Sequence, residues 1–480
     1  MEKLKPNIIF IVMDALRAKN LSCYGYSRNT SPNIDLLAKQ GILFEEAFST
    51  NNTTNPSFLS IHSGRHLLKI DKDTFIYNEK EISSFFNSGG VFIQEILKKL
   101  GYKTYCLNYL YDWQKKGFDF YFKQEELKPK SKLDVFLRKY PKIFKKIKQF
   151  SYFLATRAYL NYLVSKNLRA GIKPGKSAED VTKKAIEIID ELKDKENFFI
   201  RIDYEDTHFP YYSGGISKFK TDNDTNNFFD KISLNNANKR LIAVCRNSLK
   251  RDIKVGEIID NYDNAIYYND AFIGNMIKKL RDENIFNNTI IFIFSDHGES
   301  LYEHEIYVDH AGIYDVCSRI PLIICGPGIP RNKKIKGLVQ LEDITPTILD
   351  ILNIKYNPLQ FDGKGLFPLI SSKNRIRESV FLEEIFNLKR KGLRTEDYKY
   401  IETPLKLESG EIVQREEPLI ELYNLKNDSE EKNNLASENK ELVKEMQLKM
   451  LNEIKQLKLN DEKRRIKKSF LMEDKLYKTE

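Results

Sequence analysis

Asp296-His297-Gly298-Glu299 sets a carboxylate and an imidazole side by side, with a glycine that lets the backbone turn sharply. With Asp14, which ends an apolar run near the start of the chain, these residues supply the oxygen and nitrogen donors that a divalent cation takes. The chain has only six histidines, so one adjoining an aspartate is an informative placement. The segment Asn51-Asn-Thr-Thr54-Asn-Pro56-Ser57 reads as a loop entering a helix at Pro56, since proline suits a first helical turn. Thr54 then sits just before a helix N-terminus, where free N–H groups and the helix dipole favour an anion, and a metal can ionise a hydroxyl there. The plainer reading of Thr54 is a helix cap.

The elements that must position these groups are readable from the same stretches. Asn7–Met13 and Thr289–Phe294 are continuous β-branched and aromatic runs, typical of strands buried on both faces of a parallel sheet. Both deliver acidic residues at their C-terminal ends, where open α/β sheets bind ligands. Helical periodicity over 91–100, 178–193 and 257–281 precedes short strands at 102–107, 198–202 and 289–294. This alternation predicts a mostly parallel sheet flanked by helices.

Three stretches break the rhythm. Residues 126–173 interleave Lys and Arg with aromatics and read as a basic amphipathic insertion, either a solvated cap or a contact for a membrane surface or polyanion. Residues 213–252 are polar and Asn-rich, and residues 437–480 form a charged helical tail. The formal charge of +10 over 480 residues suits an anionic substrate or an acidic surface, and no nucleic-acid role is expected. Five scattered cysteines without metal-finger spacing suggest a reduced compartment. The N-terminal apolar run, Ile8–Met13, is too short for a signal sequence or a membrane span, so a cytoplasmic protein is expected. Oligomeric state leaves no trace in the sequence.

A collinear set of motifs carries a family resemblance. Pro6-Asn7-Ile-Ile-Phe-Ile-Val-Met-Asp14, Cys23-Tyr-Gly-Tyr26, Ser31-Pro-Asn-Ile-Asp35 and Gly41-Ile-Leu-Phe44 are followed by His208-Phe-Pro-Tyr211, Ser295-Asp-His-Gly298 and Arg319-Ile-Pro-Leu322. Asp343-Ile-Thr-Pro-Thr347, Asp362-Gly-Lys-Gly365, Gly392–Lys399 and Glu421-Leu-Tyr-Asn424 complete it. The chain resembles the sulfatase family of the alkaline phosphatase superfamily over residues 6–435. The resemblance implies an α/β catalytic domain over 1–370 and a small C-terminal antiparallel strand subdomain over 371–436.

Against the family pattern the chain departs at informative places. The family's Cys-x-Pro-Ser-Arg loop, whose cysteine becomes formylglycine, reads Thr54-Asn-Pro-Ser-Phe58 here, and threonine cannot become that aldehyde. The paired aspartates are Asp14-Ala15, and the lysine expected before Arg319 is His310. These traits resemble the superfamily's threonine-dependent phosphotransferases and phosphodiesterases. They imply one divalent cation held by Asp14, Thr54, Asp296 and His297, manganese or zinc suiting this donor set better than magnesium or calcium. Thr54 would be the nucleophile, with His208 and His310 binding oxygens and protonating the leaving group. Arg17, Arg65 and His304 are candidate substrate contacts, although either arginine equally suits a structural ion pair and His304 the surface. Three functions follow: hydrolysis or transfer of a phosphate mono- or diester through Thr54, a sulfuric ester hydrolase with an unmodified alcohol, and a binding protein that kept the fold.

Overall fold

The computed structural model describes residues 5–66, 68, 79–109, 112–123, 176–193, 195–222, 224, 226, 254–306, 308–371, 375–385, 388–404 and 419–471. Its centre is strand β1 (Asn7–Met13), every residue of which is buried. Side chains alternate across a strand, and the packing follows: Ile9, Ile11 and Met13 enter one apolar layer, Ile8, Phe10 and Val12 the other. Burial of each contributes roughly 1.5–3 kcal/mol.

Seven further strands join it: β2 (Gly41–Phe48), β3 (Lys103–Tyr109), β4 (Phe120–Lys123), β5 (Phe198–Tyr204), β6 (Thr289–Phe294), β7 (Arg319–Cys325) and β8 (Lys333–Gln340). Their order is β4-β3-β5-β1-β6-β7-β2-β8. Only β7 runs against its neighbours β6 and β2; the other pairings are parallel. The expected mostly parallel sheet is therefore present. Helices α1 (Pro32–Lys39), α5 (Ala178–Leu192) and α6 (Val255–Asp282) cover one face, while α2 (Thr54–Ser63), α4 (Ile93–Lys99) and α7 (Ile344–Ile351) cover the other. A ninth to a twelfth strand, β9 (Ser379–Glu383), β10 (Lys391–Thr395), β11 (Tyr398–Thr403) and β12 (Leu419–Asn424), form the separate antiparallel sheet. The short helix α3 (Glu79–Asn87) packs Phe85 against Phe92 beside α2.

The charged tail contains a long helix, α8 (Lys440–Leu471), docked on this second sheet. Met446, Met450 and Ile454, spaced at four residues along one stripe, pack on Phe381, Leu393, Tyr400 and Leu422. Within its basic run, Arg464 is buried and ion-paired to Asp362 at 2.7 Å, so this cation is structural. The basic insertion at 126–173 lies outside the described residues. Of the second insertion, residues 213–222, 224 and 226 are described and lie along α6, where Asn264 Oδ1 accepts the Lys218 and Phe219 amides. No helix among the described residues is long and apolar enough to cross a membrane.

Candidate metal centre and nucleophile

The parallel neighbours β5, β1 and β6 end at one edge of the sheet, and β2 ends there too. Asp14 follows β1, its amide donating to the Tyr204 carbonyl at 2.8 Å. Ala15 adopts φ 59°, a left-handed conformation that costs a non-glycine residue on the order of 1 kcal/mol or more. The turn is held against that strain: Tyr262 Oη donates to the Ala15 carbonyl at 2.7 Å, and Thr207 Oγ1 to the Asp14 carbonyl at 2.6 Å. After β6, Asp296 Oδ1 accepts the amides of His297 (2.9 Å) and Ala15 (3.3 Å), which leaves Oδ2 facing the site. Gly298 permits the chain to pass the β7 approach: a Cβ there would lie 2.3 Å from the Val316 carbonyl.

Four atoms converge. His297 Nε2 is 3.5 Å from Asp14 Oδ1, 3.5 Å from Asp296 Oδ2 and 3.2 Å from Thr54 Oγ1. Burial holds His297 down to about 3 and its Nδ1–H donates to the Gly298 carbonyl at 2.9 Å, so the ring is neutral with the Nε2 lone pair facing the carboxylates. Lone pairs facing lone pairs need something positive between them. Asp14 Oδ1 and Asp296 Oδ2 are buried and have no hydrogen-bond partner, and Asp14, Asp296 and His297 each offer a ligand atom within 4.8 Å of the others. This donor set fits a divalent cation.

The field around the site points the same way. Burial, then Asp296 and Asp203, push Asp14 well above the usual carboxylate range; burial pushes Asp296 up, and Asp203 to about 6. Burial, then Asp14, raise half-buried Glu205 well above its ordinary value, and burial takes Glu299 to about 8. Five carboxylates crowd one sheet edge, an arrangement that a bound cation relieves.

Thr54 is the first residue of α2, and the cap position belongs to Thr53, one residue earlier in an extended conformation. The capping reading of Thr54 thus gives way: its hydroxyl faces His297. Ser49 Oγ donates to the Asp296 carbonyl at 2.6 Å and the Ser49 amide to the Ser318 carbonyl at 2.8 Å, tying the loop that carries Thr54 to the end of β6 and the start of β7.

His208 and His310 arrive from separate loops, as expected. The His297 and His310 rings lie 4.4 Å apart, and His208 lies 5.5 Å from His310 and 6.3 Å from His297. Each directs Nδ1 at a backbone carbonyl, His208 at Phe209 (2.8 Å) and His310 at Asn52 (2.6 Å). The other three expected contacts are placed differently. Arg65 sits past the far end of α2, roughly 15 Å along the helix from Thr54. Its buried guanidinium donates to the Gln360, Ser88 and Gly89 carbonyls, so it stitches α2 to α3 and does not reach the substrate site. Arg17 is buried against Glu303 at 2.7 Å and spends its charge there. His304 stacks on Tyr314 with ring centroids 3.8 Å apart.

Asp203, Glu205 and Glu299 were not anticipated as members of the site. Asp203 had a signal: Arg201 and Asp203 are two charges on one face of an otherwise apolar strand.

A mostly parallel mixed sheet with Asp14, Asp296 and His297 gathered at the carboxyl ends of its central strands fits the alkaline phosphatase class of fold. Family comparison narrows this: a Sulfatase model matches residues 6–354, and the N-sulphoglucosamine sulphohydrolase C-terminal model matches 302–460. The chain belongs to the sulfatase family. Arylsulfatase K of Rattus norvegicus is 32% identical over 195 residues, 37% of this chain and 33% of that protein. The N-acetylglucosamine-6-sulfatase of Homo sapiens is 34% identical over 116 residues, 24% of this chain and 21% of that protein. The chain thus aligns with about a third or less of the length of these relatives. Among solved structures, BT4656 in complex with its substrate D-glucosamine-2-N,6-O-disulfate superposes with a TM-score of 0.68 at 19% identity, over 95% of this chain and 99% of that one. The phosphonate monoester hydrolase of Agrobacterium radiobacter gives 0.62 at 18%, over 95% and 96%.

Proposed function

We propose that the chain cleaves or transfers an ester of a tetrahedral oxyanion, a phosphate mono- or diester, with Thr54 as the covalent nucleophile. The observation that carries this is Thr54 Oγ1 at 3.2 Å from His297 Nε2, amid carboxylate oxygens that have no partner of their own. Asp14, Asp296 and His297 would hold the cation, manganese or zinc by donor type, and when bound it would acidify the adjoining hydroxyl and polarise an ester oxygen.

The Thr54 oxygen attacks the phosphorus in line as the bond to the leaving oxygen breaks. The N-terminus of α2, with its positive dipole end, would favour the negative charge of the transferred group. His310 is held down to about 3 by burial and by His297 and His208, and its Nδ1–H is committed to Asn52; a neutral ring suits it to accept a proton during attack. His208 is left to supply one to the leaving oxygen. Threonine has no route for eliminating the product from an aldehyde hydrate, so a second attack at phosphorus, by water or an acceptor alcohol, must release it.

A sulfuric ester is the second reading, favoured by the family and by the relatives' names. An assay panel of aryl sulfate, phosphate monoester and phosphodiester, each with manganese, zinc and calcium, separates the two; sulfate turnover without phosphate turnover overturns the phosphate assignment. Thr54→Ala should lower kcat/KM by at least about a thousandfold while metal affinity stays within a few-fold. Unchanged turnover removes Thr54 as nucleophile. The cytoplasmic location expected from the sequence accords with the free thiols of Cys23, Cys106, Cys317 and Cys325, and fractionation of the native host tests it.

A further inference from the structure

Behind the site lies a charge pair that the mechanism above does not use. Arg201 and Asp203 point to the same face of β5, and Asp203 pairs in register with Val12, two residues before Asp14. Strand geometry puts the Asp203 Cα roughly 8 Å from that of Asp14. Both side chains are nearly inaccessible, 0% and 7% exposed. Arg201 Nε donates to Asp203 Oδ1 at 2.9 Å and Oδ2 at 3.1 Å, and Nη2 closes the fork on Oδ2. The same guanidinium lies over the Phe58 ring at 3.8 Å, and Nη1 donates to His62 Nε2 at 3.0 Å, so it is fixed from α2 as well. Gln94 Oε1 accepts His62 Nδ1–H at 2.8 Å, which sets the tautomer that receives Arg201. Position 58 is where the family loop carries an arginine; here a phenylalanine takes that place, and β5 presents the cation to it.

We propose that Arg201 is a positioning residue that holds Asp203 out of the cation's reach and so sets which divalent cations the site prefers. The inference rests on the proposed metal centre. With Asp203 engaged, the site offers two carboxylates, an imidazole and a hydroxyl, a set suited to zinc or manganese. Releasing Asp203 adds an oxygen donor and a negative charge, the change that favours calcium or magnesium. A unit charge at this distance alters the affinity for a divalent ion by more than about tenfold at a protein-like dielectric.

The test is competition calorimetry of zinc, manganese, calcium and magnesium on the full chain, with circular dichroism confirming the fold of each variant. Arg201→Met should raise the calcium-to-zinc affinity ratio at least about tenfold, and Arg201→Met/Asp203→Asn should restore it. If Arg201→Met does not fold, Asp203→Asn alone decides: its unpaired Arg201 should weaken every divalent ion at least about tenfold. An unchanged ratio in folded Arg201→Met, or unchanged affinities in Asp203→Asn, overturns the inference and leaves the metal centre standing. A parent protein that binds no divalent ion, or binds one equally well after Asp296→Asn, overturns both.

Discussion

Two regions of the molecule bury carboxylates, and they do so in opposite ways. At the carboxyl edge of the large sheet, Asp14, Asp296, Glu205 and Glu299 face one another and a neutral histidine, with Asp14 Oδ1, Asp296 Oδ2 and Glu299 Oε2 left without partners. Where the small sheet meets the large one, Lys399, fully buried, lies 2.7 Å from Asp315 and 3.0 Å from Glu431, and Arg394 lies 2.6 Å from Glu46. Against burial, which would raise it, Lys399 and Arg394 hold Asp315 down to about 2. The second region carries its own cations and is a joint. In the first, among the described residues, Arg201 serves Asp203 while Asp14 Oδ1, Asp296 Oδ2 and Glu299 Oε2 have no hydrogen-bonding partner, and in a folded protein such a deficit marks a place where a ligand supplies the charge.

The sharpest way to break this contrast is to remove one charge from each region with a chelator present. Lys399→Met takes the nearest cation from buried Asp315 and Glu431, leaving Asp315 only the more distant Arg394, and should cost about 3–5 kcal/mol of stability. Asp296→Asn removes a repelling carboxylate and should leave the metal-free protein as stable or more so, while saturating zinc or manganese should stabilise the parent alone. Urea midpoints with and without metal read both. A large metal-free loss in Asp296→Asn would mean that the site's carboxylates are structural.

Within the joint the pH dependence is split: Glu431 is raised to about 7 by burial and follows the sign of the first region, while Asp315 runs the other way. Asp315 is depressed in the folded state, so its contribution, on the order of 2 kcal/mol, is present above the ordinary value of 3.8 and is lost as pH falls toward 2. Asp203 and Glu299 are raised to about 6 and about 8 from ordinary values of 3.8 and 4.5. The folded state then binds more protons than the unfolded one, and the chelated protein should lose stability as pH rises from about 4 to 8. Bound metal should flatten that second slope and leave the first untouched. Denaturant melts at stepped pH check both.

What the sequence disclosed of this contrast follows from how local each signal is. Asp14 and Asp296-His297 were legible because a buried strand announces its own end, and ligand groups at strand ends of an α/β sheet have few other uses. Thr54 was legible as a helix-entry residue, with its register off by one because Thr53 and Thr54 suit a cap equally well until the loop from Ser49 is anchored. Arg65 and Arg17 stayed open between substrate contact and structural pairing because an arginine's partner is chosen by tertiary packing: Gln360 and Glu303 lie 295 and 286 residues away. The docking of α8 was concealed for a similar reason, since a single stripe of Met446, Met450 and Ile454 is diluted by charge on every other face.

The smallest expected effect sharpens the claim that burial, and not charge pairing as such, separates the two regions. Lys19, on the turn that follows Asp14, reaches both Glu430 oxygens at 2.7 Å and bridges the same two parts of the molecule as Lys399 does. Its side chain is 44% exposed and that of Glu430 42%. Water screens such a pair and the two long side chains lose rotamer freedom on meeting, so the net contribution should be about 0–1 kcal/mol and vanish at high salt. Lys19→Ala should therefore shift the urea midpoint slightly at low ionic strength and not at all in molar salt. A loss approaching that of Lys399→Met would mean that this joint is held by geometry across its whole surface and not by the buried lysine.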